Sequence, residues 1–369
     1  MSWHFVNAAG GVSLSTEGER ITAGLGGRRV DLGGARLLPG LINAHDHLHL
    51  NGALPRLKFR DGYRNASEWI ADITPLLSTD AGLLAHRAQS RAQRLLAGGV
   101  KNLLSGVTTV LHHDPRDPVL DESGFPVDVP EPGGWSHSLG LDGEEAVRAS
   151  RQATPAGRPW VIHAAEGIDA AASLELDRLD ALGCLASGTL LVHGLGLSAT
   201  QQCRVVEAGA GVVWCPGSNL HLFGCTLDPE WLFAQGRLAL GSDSRISGGR
   251  DLLSELALVR ELTRWSDERL EAWVTEGAAR LLGLGDRGRL EPGLRADLIA
   301  LPPGLPLSCA TRADLRLVVV GGRPLYADAD LGEALGLVPV RVDGRLKAIA
   351  PHLIVAEPGL MALQEEVLS

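Results

Sequence analysis

Short apolar segments alternate with longer helical segments along most of the chain after residue 40. The apolar segments have the length of buried strands, and the segments between them have helical spacing. The predicted strands span 41–45, 107–112, 160–163, 190–193, 211–215 and 238–243. Repeated strand–helix units of this kind indicate an α/β fold with a parallel sheet. We therefore predict a (β/α)8 TIM-like barrel over residues 41–288.

Two parts of the chain depart from the strand–helix repeat. Residues 113–159 are too few for two regular units, and 115–134 are rich in Pro, Asp and Gly. We therefore expect strands three and four to be short or irregular, and the barrel to be distorted there. Both ends of the chain have the texture of short strands, so residues 1–40 and 289–350 are predicted to form a small β-sandwich domain. Residues 351–369 are predicted to end the chain as a helix.

Composition excludes some partners but identifies no substrate. The 369 residues carry 34 basic and 44 acidic side chains, a formal net charge of −10, which argues against nucleic acid or an anionic membrane as the main partner. The five cysteines include no CxxC pair, which is typical of a reducing compartment. We see no secretory signal and no apolar run of about 18 residues. These features predict a cytoplasmic protein whose main partner is neither nucleic acid nor a membrane. A homo-oligomer that covers the irregular barrel edge is left open.

Histidines and acids stand at the carboxyl ends of the predicted strands. Twelve histidines occur in a chain with only 4% aromatic residues, so their placement matters. The polar residues at or just after strand ends are His45, Asp46, His47, His112, His113, Asp114, His163, Glu166, His193 and Asp243. In a parallel barrel all the carboxyl ends meet at one mouth, where active sites are built. Residues far apart in sequence are therefore predicted to converge.

The strand-end residues match the ligand set of a catalytic metal site. His45 and His47 are two residues apart, so a strand presents both on one face. With His163 and Asp243 they supply three imidazoles and one carboxylate, which leaves a coordination position open. Nitrogen ligands with one oxygen favour zinc, with iron or manganese as alternatives. A lone HxH pair would be weak evidence, because many such histidines are core or surface residues.

Several motifs resemble the amidohydrolase superfamily. The run from Leu38 to His47, LPGLINAHDH, is similar to the opening that leads to the HxH motif of that family. Further similar segments, in the same order, are GVTTV at 106–110, HAAE at 163–166, VHG at 192–194, GSD at 241–243 and GRLEPGLRADL at 288–298. The HxxE spacing of His163 and Glu166 and the CPGSNL run at 215–220 most resemble the cytosine deaminase-like and chlorohydrolase branch.

The resemblance implies a mononuclear metal-dependent hydrolase that attacks a carbon–nitrogen bond with a metal-activated hydroxide. The dinuclear branches carry a carboxylated lysine on strand four, and neither Lys58, Lys101 nor Lys347 lies there, so one divalent ion is expected. The implied catalytic residues are Glu166 as proton shuttle, His193 as a polarising or orienting group and Asp243 as proton acceptor. Candidate substrate contacts are His49, His112, His113, Ser218, Asn219 and Arg245.

Deamination of a small cyclic or amidine-like substrate is the favoured reaction. One alternative is hydrolysis of a cyclic amide or imidazolone ring, which would use the same metal ligands. An alternative of another class is a catalytically silent barrel that binds a ligand.

Overall fold

The protein is an α/β structure, seen here in a computed structural model that describes residues 1–52 and 54–354. The described strands are β1 (Ser2–Val6), β2 (Leu14–Glu17), β3 (Arg20–Thr22), β4 (Arg28–Asp31), β5 (Arg36–Pro39), β6 (Leu41–Asp46), β7 (Val107–His112), β8 (Gly134–Ser136), β9 (Trp160–Ala164), β10 (Thr189–His193), β11 (Gly211–Trp214), β12 (Leu238–Leu240), β13 (Leu298–Leu301), β14 (Leu317–Val320), β15 (Arg323–Asp328), β16 (Val338–Val342) and β17 (Arg345–Ile349).

Helices follow most of the central strands. They are α1 (Ala66–Leu76), α2 (Ala81–Ala88), α3 (Arg91–Leu104), α4 (Leu139–Asp142), α5 (Glu144–Ala153), α6 (Ala170–Ala181), α7 (Ala199–Glu207), α8 (Pro216–Phe223), α9 (Glu230–Ala234), α10 (Leu252–Thr263), α11 (Asp267–Ala272), α12 (Ala278–Leu281) and α13 (Ala329–Leu335). None of the described helices has the length and apolar character needed to span a bilayer.

The central strands form two parallel sheets. β8, β9, β10, β11 and β12 pair in chain order, and β6 pairs with β7. The amides of Ser242 and Asp243, just after β12, donate to the His45 carbonyl at the end of β6. On the other side, the Val110 amide of β7 donates to the Asp128 carbonyl. The smaller sheet is therefore bonded along both edges, and its strand ends lie beside those of the larger sheet.

One hydrophobic cluster takes side chains from both parallel sheets. Its strand members are Ile42 and Ala44 of β6, Leu111 of β7, Val161 of β9, Leu190 and Val192 of β10, Val213 of β11 and Ala239 of β12. Neighbours of opposite parity, such as Ile162, Leu191 and Val212, belong to the main hydrophobic cluster instead. Because side chains alternate with a period of two, each strand is buried on both faces. One face contributes to the cluster shared by the two parallel sheets, and the other contributes to the main cluster.

The stretch between β7 and β9 is irregular, at the position expected from its composition. β8 has only three residues, and before it the described backbone makes a single parallel bridge between Thr109 and Asp128. The prolines at 126, 130 and 132 cannot donate ladder hydrogen bonds, which keeps this stretch from forming a longer strand.

The two ends of the chain supply the other two sheets. β1 to β4 form a four-stranded sheet, and β13 to β17 form a six-stranded sheet that also contains β5. The antiparallel pairing of β5 with β13 places Pro39 opposite Leu298. The strand texture predicted at both ends is present, whereas α13 was not predicted. Of the predicted C-terminal helix, residues 351–354 contain a short turn at Pro351–Leu353, and the rest lies outside the described residues.

Candidate metal centre and active site

The predicted strand-end histidines come together in space. The His45 ring centroid lies 4.8 Å from that of His47, 4.9 Å from that of His163 and 6.2 Å from that of His193. These rings come from the ends of β6, β9 and β10, and Asp243 joins them from the segment after β12. The structure therefore assembles, at one end of the parallel strands, the residues that the sequence grouped as a metal site.

Hydrogen bonds at Nδ1 turn two imidazoles toward each other through their Nε2 atoms. His47 Nδ1 donates to Asp114 Oδ2 at 2.8 Å, and His163 Nδ1 donates to the His137 carbonyl at 2.9 Å. The two Nε2 atoms lie 3.2 Å apart. With a proton on each Nδ1, the two Nε2 atoms can share one proton or, once that proton is lost, both bind an ion. A carboxylate or carbonyl behind a ligating histidine is the usual second contact of a metal site.

His45 and Asp243 complete a donor set that fits a divalent ion. The His45 ring is fully buried, and neither of its nitrogens has a hydrogen-bond partner among the described residues. Such an unsatisfied buried group costs about 1–3 kcal/mol unless a ligand satisfies it. Asp243 Oδ1 lies 3.8 Å from both His45 Nε2 and His47 Nε2. Two ligands about 2.1 Å from a tetrahedral ion stand about 3.4 Å apart, so small shifts would close this set around zinc.

The surroundings of these groups determine their protonation states. Burial lowers the pKa of His45 to about 4, so the ring is neutral. Burial would also lower the pKa of His47, but the Asp114 carboxylate outweighs it and raises that pKa to about 9. Without a metal the His47 ring is therefore cationic at neutral pH, and its Nε2 proton must leave when an ion binds. Burial would raise the pKa of Asp243, yet the neighbouring imidazoles, His45 first, hold it well below its usual value. Asp243 is therefore a carboxylate, and Ser247 Oγ donates to its Oδ2 at 2.7 Å.

Three residues at the strand ends adopt left-handed backbone conformations. Ala165, His193 and Asp243 have φ values of 52°, 73° and 54°. For residues other than glycine this conformation costs about 1–2 kcal/mol each. Strain of this kind concentrates at functional sites, where the surrounding structure imposes it. Here it turns the chain sharply at the points where the site residues leave their strands.

Glu166 and His193 form a second pair beside the metal ligands. His193 Nε2 lies 3.5 Å from Glu166 Oε1, and His193 Nδ1 donates to Asn219 Oδ1 at 3.0 Å. Asn219 Nδ2 in turn donates to Thr226 Oγ1 at 3.2 Å, which fixes the orientation of the amide. The His193 lone pair is therefore on Nε2. Burial raises the pKa of Glu166, which favours a protonated carboxyl that can give a proton to a bound molecule.

A cavity of about 580 Å³ opens onto these groups. Polar residues of its wall include His47, His49, Asp114, His137, His163, Glu166, His193 and Asp243. Apolar residues of the wall include Leu54, Trp69, Ile73, Leu83 and Ile246, which belong to one hydrophobic cluster.

Of the substrate contacts predicted from the sequence, only His49 lies among the described residues of the cavity wall. His112, His113, Ser218 and Asn219 are buried behind it, with at most 4% exposure. The His113 ring stacks on His163 at 4.4 Å, and Asn219 contacts His193. Arg245 lies outside the cavity wall, and its backbone amide donates a hydrogen bond to Asn51 Oδ1.

Two charged residues of the site were given no role from the sequence. Asp114 orients His47, and its position directly after His112 and His113 at a strand end was a usable signal. Lys101 of α3 is fully buried and lies 3.0 Å from Asp46 Oδ2, between the two ligands of the HxH motif. Sequence gave no signal for Lys101, because its partner is brought to it only by packing of α3 against the end of β6.

Comparison with known proteins adds a family and a fold. The sequence model of the Amidohydrolase family matches residues 140–325, half of the chain. An 8-oxoguanine deaminase of Pseudomonas aeruginosa is 34% identical over 201 residues, a match that covers 48% of this chain and 44% of that protein. A 5-methylthioadenosine/S-adenosylhomocysteine deaminase of Natronomonas pharaonis is 26% identical, over 88% of this chain and 90% of the relative.

A solved structure shows the same fold over nearly the whole chain. It is an adenosine deaminase from Xanthomonas campestris with bound zinc, and it superposes with a TM-score of 0.68 at 18% identity. The match covers 99% of this chain and 96% of that protein. The resemblance read from the motifs is thereby confirmed, as is the prediction of a hydrolase that acts on carbon–nitrogen bonds. The chain belongs to the amidohydrolase family.

Proposed function

We propose that the protein is a metal-dependent deaminase that replaces an amino group on a small heterocycle by oxygen and releases ammonia. The observation that carries this proposal is the placement of Glu166 and His193 at 3.5 Å from each other, beside four metal-ligand candidates and at the cavity wall. Deaminases among the relatives support the same reaction class.

We further propose one catalytic divalent ion, zinc, held by His45, His47, His163 and Asp243. Three observations support this assignment: their donor atoms, the His47 and His163 Nε2 atoms that face each other, and a buried His45 ring with no hydrogen-bond partner among the described residues. When bound, such an ion supplies a Lewis acid that makes water nucleophilic near neutral pH.

The side chains around this site divide the proton transfers between them. Asp243, held as a carboxylate, accepts the proton of the attacking water. Glu166, with a raised pKa, gives a proton to a ring nitrogen and recovers one from the hydroxyl of the tetrahedral adduct as that hydroxyl becomes the carbonyl of the product. The proton taken up by Asp243 passes to the leaving amine, which departs as ammonia. His193 presents its Nε2 lone pair toward the same space, because Asn219 holds the proton on Nδ1. The apolar wall around Trp69 and Ile73 suits a planar or partly apolar substrate.

The barrel and its domain division are also proposals. Support for closure comes from the bonds of Ser242 and Asp243 to β6, the Asp128 bridge to β7 and the cluster shared by both parallel sheets. We propose that residues 41–288 form this distorted barrel and that 1–40 and 289–350 form a β-sandwich beside it. The pairing of β5 with β13 supports a single terminal domain built from both ends.

An ammonia-release assay tests the function. The zinc-loaded protein is incubated with amino-substituted purines, pyrimidines and triazines, and ammonia and product mass are followed. A deaminase releases one ammonia per product with a mass gain of about 1 Da. Ring opening without ammonia would support the cyclic-amide alternative instead. No turnover of any compound, despite a full complement of metal, would contradict the proposal.

Replacement of Glu166 by glutamine tests its role. Glutamine keeps the size of the side chain but cannot transfer the proton, so we expect turnover to fall by about 10²–10⁴-fold. Metal content should stay unchanged, because Glu166 is outside the proposed ligand set. The matched control is Glu175→Gln, a second carboxyl of the cavity wall whose contact is with the Ala165 amide. Equal activity of wild type and Glu166→Gln would remove Glu166 from the mechanism.

A further inference from the structure

A second cluster of metal-ligating side chains lies beside the first and takes no part in the proposed mechanism. One donor atom each from His49, His112 and Asp114 lies within 4.8 Å of the other two. Two imidazoles and a carboxylate are a common ligand triad for divalent transition metals. The three residues come from the turn after β6 and from the end of β7, so two neighbouring strand ends build the cluster.

The spacing and burial of the cluster fit an ion. His49 Nδ1 lies 3.3 Å from Asp114 Oδ2, close to the ~3.4 Å between two ligands of a tetrahedral zinc ion. His112 is 4% exposed, and Asp114 is 9% exposed. The cluster is therefore largely removed from water.

One ring nitrogen of His112 contacts the backbone, and the other has no hydrogen-bond partner in the part of the chain that the structure describes. The backbone occupies Nδ1, which lies 3.3 Å from both the Leu48 amide and the Asp46 carbonyl. Nε2 is buried and has no hydrogen-bond partner among the described residues. A buried imidazole nitrogen left unsatisfied next to a carboxylate and a second imidazole indicates a missing ligand.

We propose that His49, His112 and Asp114 form a second divalent-cation site, separate from the catalytic ion and linked to it through Asp114. Asp114 Oδ2 already accepts the His47 Nδ1 proton, so the same carboxylate orients a ligand of the first site and binds the second ion. His49 and Asp114 also line the cavity, which leaves coordination positions of the second ion open toward the substrate space. An oxygen or nitrogen donor of a bound molecule could fill them.

Metal stoichiometry tests this site without reference to activity. The full-length protein is stripped with a chelator and dialysed to equilibrium against micromolar zinc, and bound zinc per chain is measured by mass spectrometry. We expect two ions in wild type and one in His112→Gln and in His49→Gln. His49→Gln guards against misfolding, because His49 is the more exposed of the two. His221→Gln is the matched control and should retain two.

The results separate this site from the proposed catalytic one. Asp243→Asn should lose one ion by emptying the first site, whereas His112→Gln should lose the other. A wild type that binds two ions, with both still bound in His112→Gln and His49→Gln, would overturn the second site. So would a wild type with one ion that both variants retain. If the single ion is lost from His112→Gln but kept by Asp243→Asn, the second site stands and the proposed catalytic ligand set fails.

Discussion

Replacement of Lys101 by methionine should both destabilise the protein and weaken metal binding. The Lys101 ammonium lies 3.0 Å from Asp46 Oδ2, and both side chains are fully buried. Methionine keeps most of the volume and removes the charge. Asp46 then remains as a buried carboxylate without its counter-charge, between His45 and His47 in the chain.

The size of the effect follows from what remains around Asp46. Breaking one partner of a buried ion pair typically costs about 3–5 kcal/mol. Asn102 Nδ2 still donates to Asp46 Oδ2 at 2.8 Å and Asn43 Nδ2 at 3.2 Å, so we expect the lower end, about 3 kcal/mol. The unfolding entropy is about 2.1 cal/mol/K per residue, so for 369 residues each kcal/mol corresponds to about 1.3 °C of Tm, and the loss should be about 4 °C.

The assay is thermal unfolding of the metal-free protein, with zinc affinity measured in parallel by competition with a chelator. Lys347→Met is the matched control, since Lys347 is equally buried and donates to the Leu315 carbonyl at 2.6 Å, away from the site. It should lower Tm but leave zinc affinity unchanged. The double variant with Asp46→Asn should recover at least half of the loss. A Tm shift below about 2 °C in Lys101→Met, or no recovery in the double variant, would refute the reasoning.

Three further predictions concern the remaining contacts. Asn219→Leu removes the hydrogen-bond acceptor that fixes the His193 ring, so turnover should fall about tenfold or more with metal content unchanged. Asn219→Asp retains an acceptor and is the control. Equal turnover rates for the two variants would contradict this role of Asn219. Burial raises the pKa of Glu255 from 4.5 to about 7, so the folded state binds the extra proton between these values and stability falls as pH rises through that window. Between pH 4.5 and 7, the unfolding free energy of wild type should drop by about 3 kcal/mol relative to that of Glu255→Gln, as measured by urea titrations. If the unfolding free energies of the two proteins ran parallel across this pH range, the raised pKa of Glu255 would be contradicted. Zinc at a hundredfold excess over the Kd of the catalytic site should stabilise the stripped protein by about 2.7 kcal/mol through that site, as measured by calorimetry, and Asp243→Asn should show a smaller gain. An unchanged Tm on zinc addition to wild type would show that the folded state has no such site.

The strands of the site could be predicted because their chemistry is local. Val107–His112 was predicted with the bounds that the structure has, and the other central strands within a few residues. A buried strand is a short apolar run, and its carboxyl end is where the first polar residue appears. The convergence of His45, His163 and Asp243 followed from one assumption, that the strands are parallel.

The contacts that orient the site could not be predicted in the same way. Lys101 sits on a helix whose pattern marks it as one more polar residue, and only tertiary packing brings it to Asp46. Asn219 was expected to face a substrate, yet it lies behind His193, because the start of α8 turns it inward. The β6–β7 register is also irregular between Asn43 and Asp46, a feature without a sequence signature.

The pairing of β5 with β13 determines when the chain can finish folding. Residues 36–39 leave the ribosome early, but their partners at 298–301 are made only after the whole central segment. Until then, one edge of β5 has no strand to bind. The entropic cost of closing so long a loop grows only slowly with its length, but it must be met before β5 and β13 can pair. Exposed strand edges in such intermediates favour aggregation. Expression at lower temperature or with chaperones should therefore raise the soluble yield of the full-length chain, whereas truncations that remove residues after 297 would leave β5 permanently unpaired.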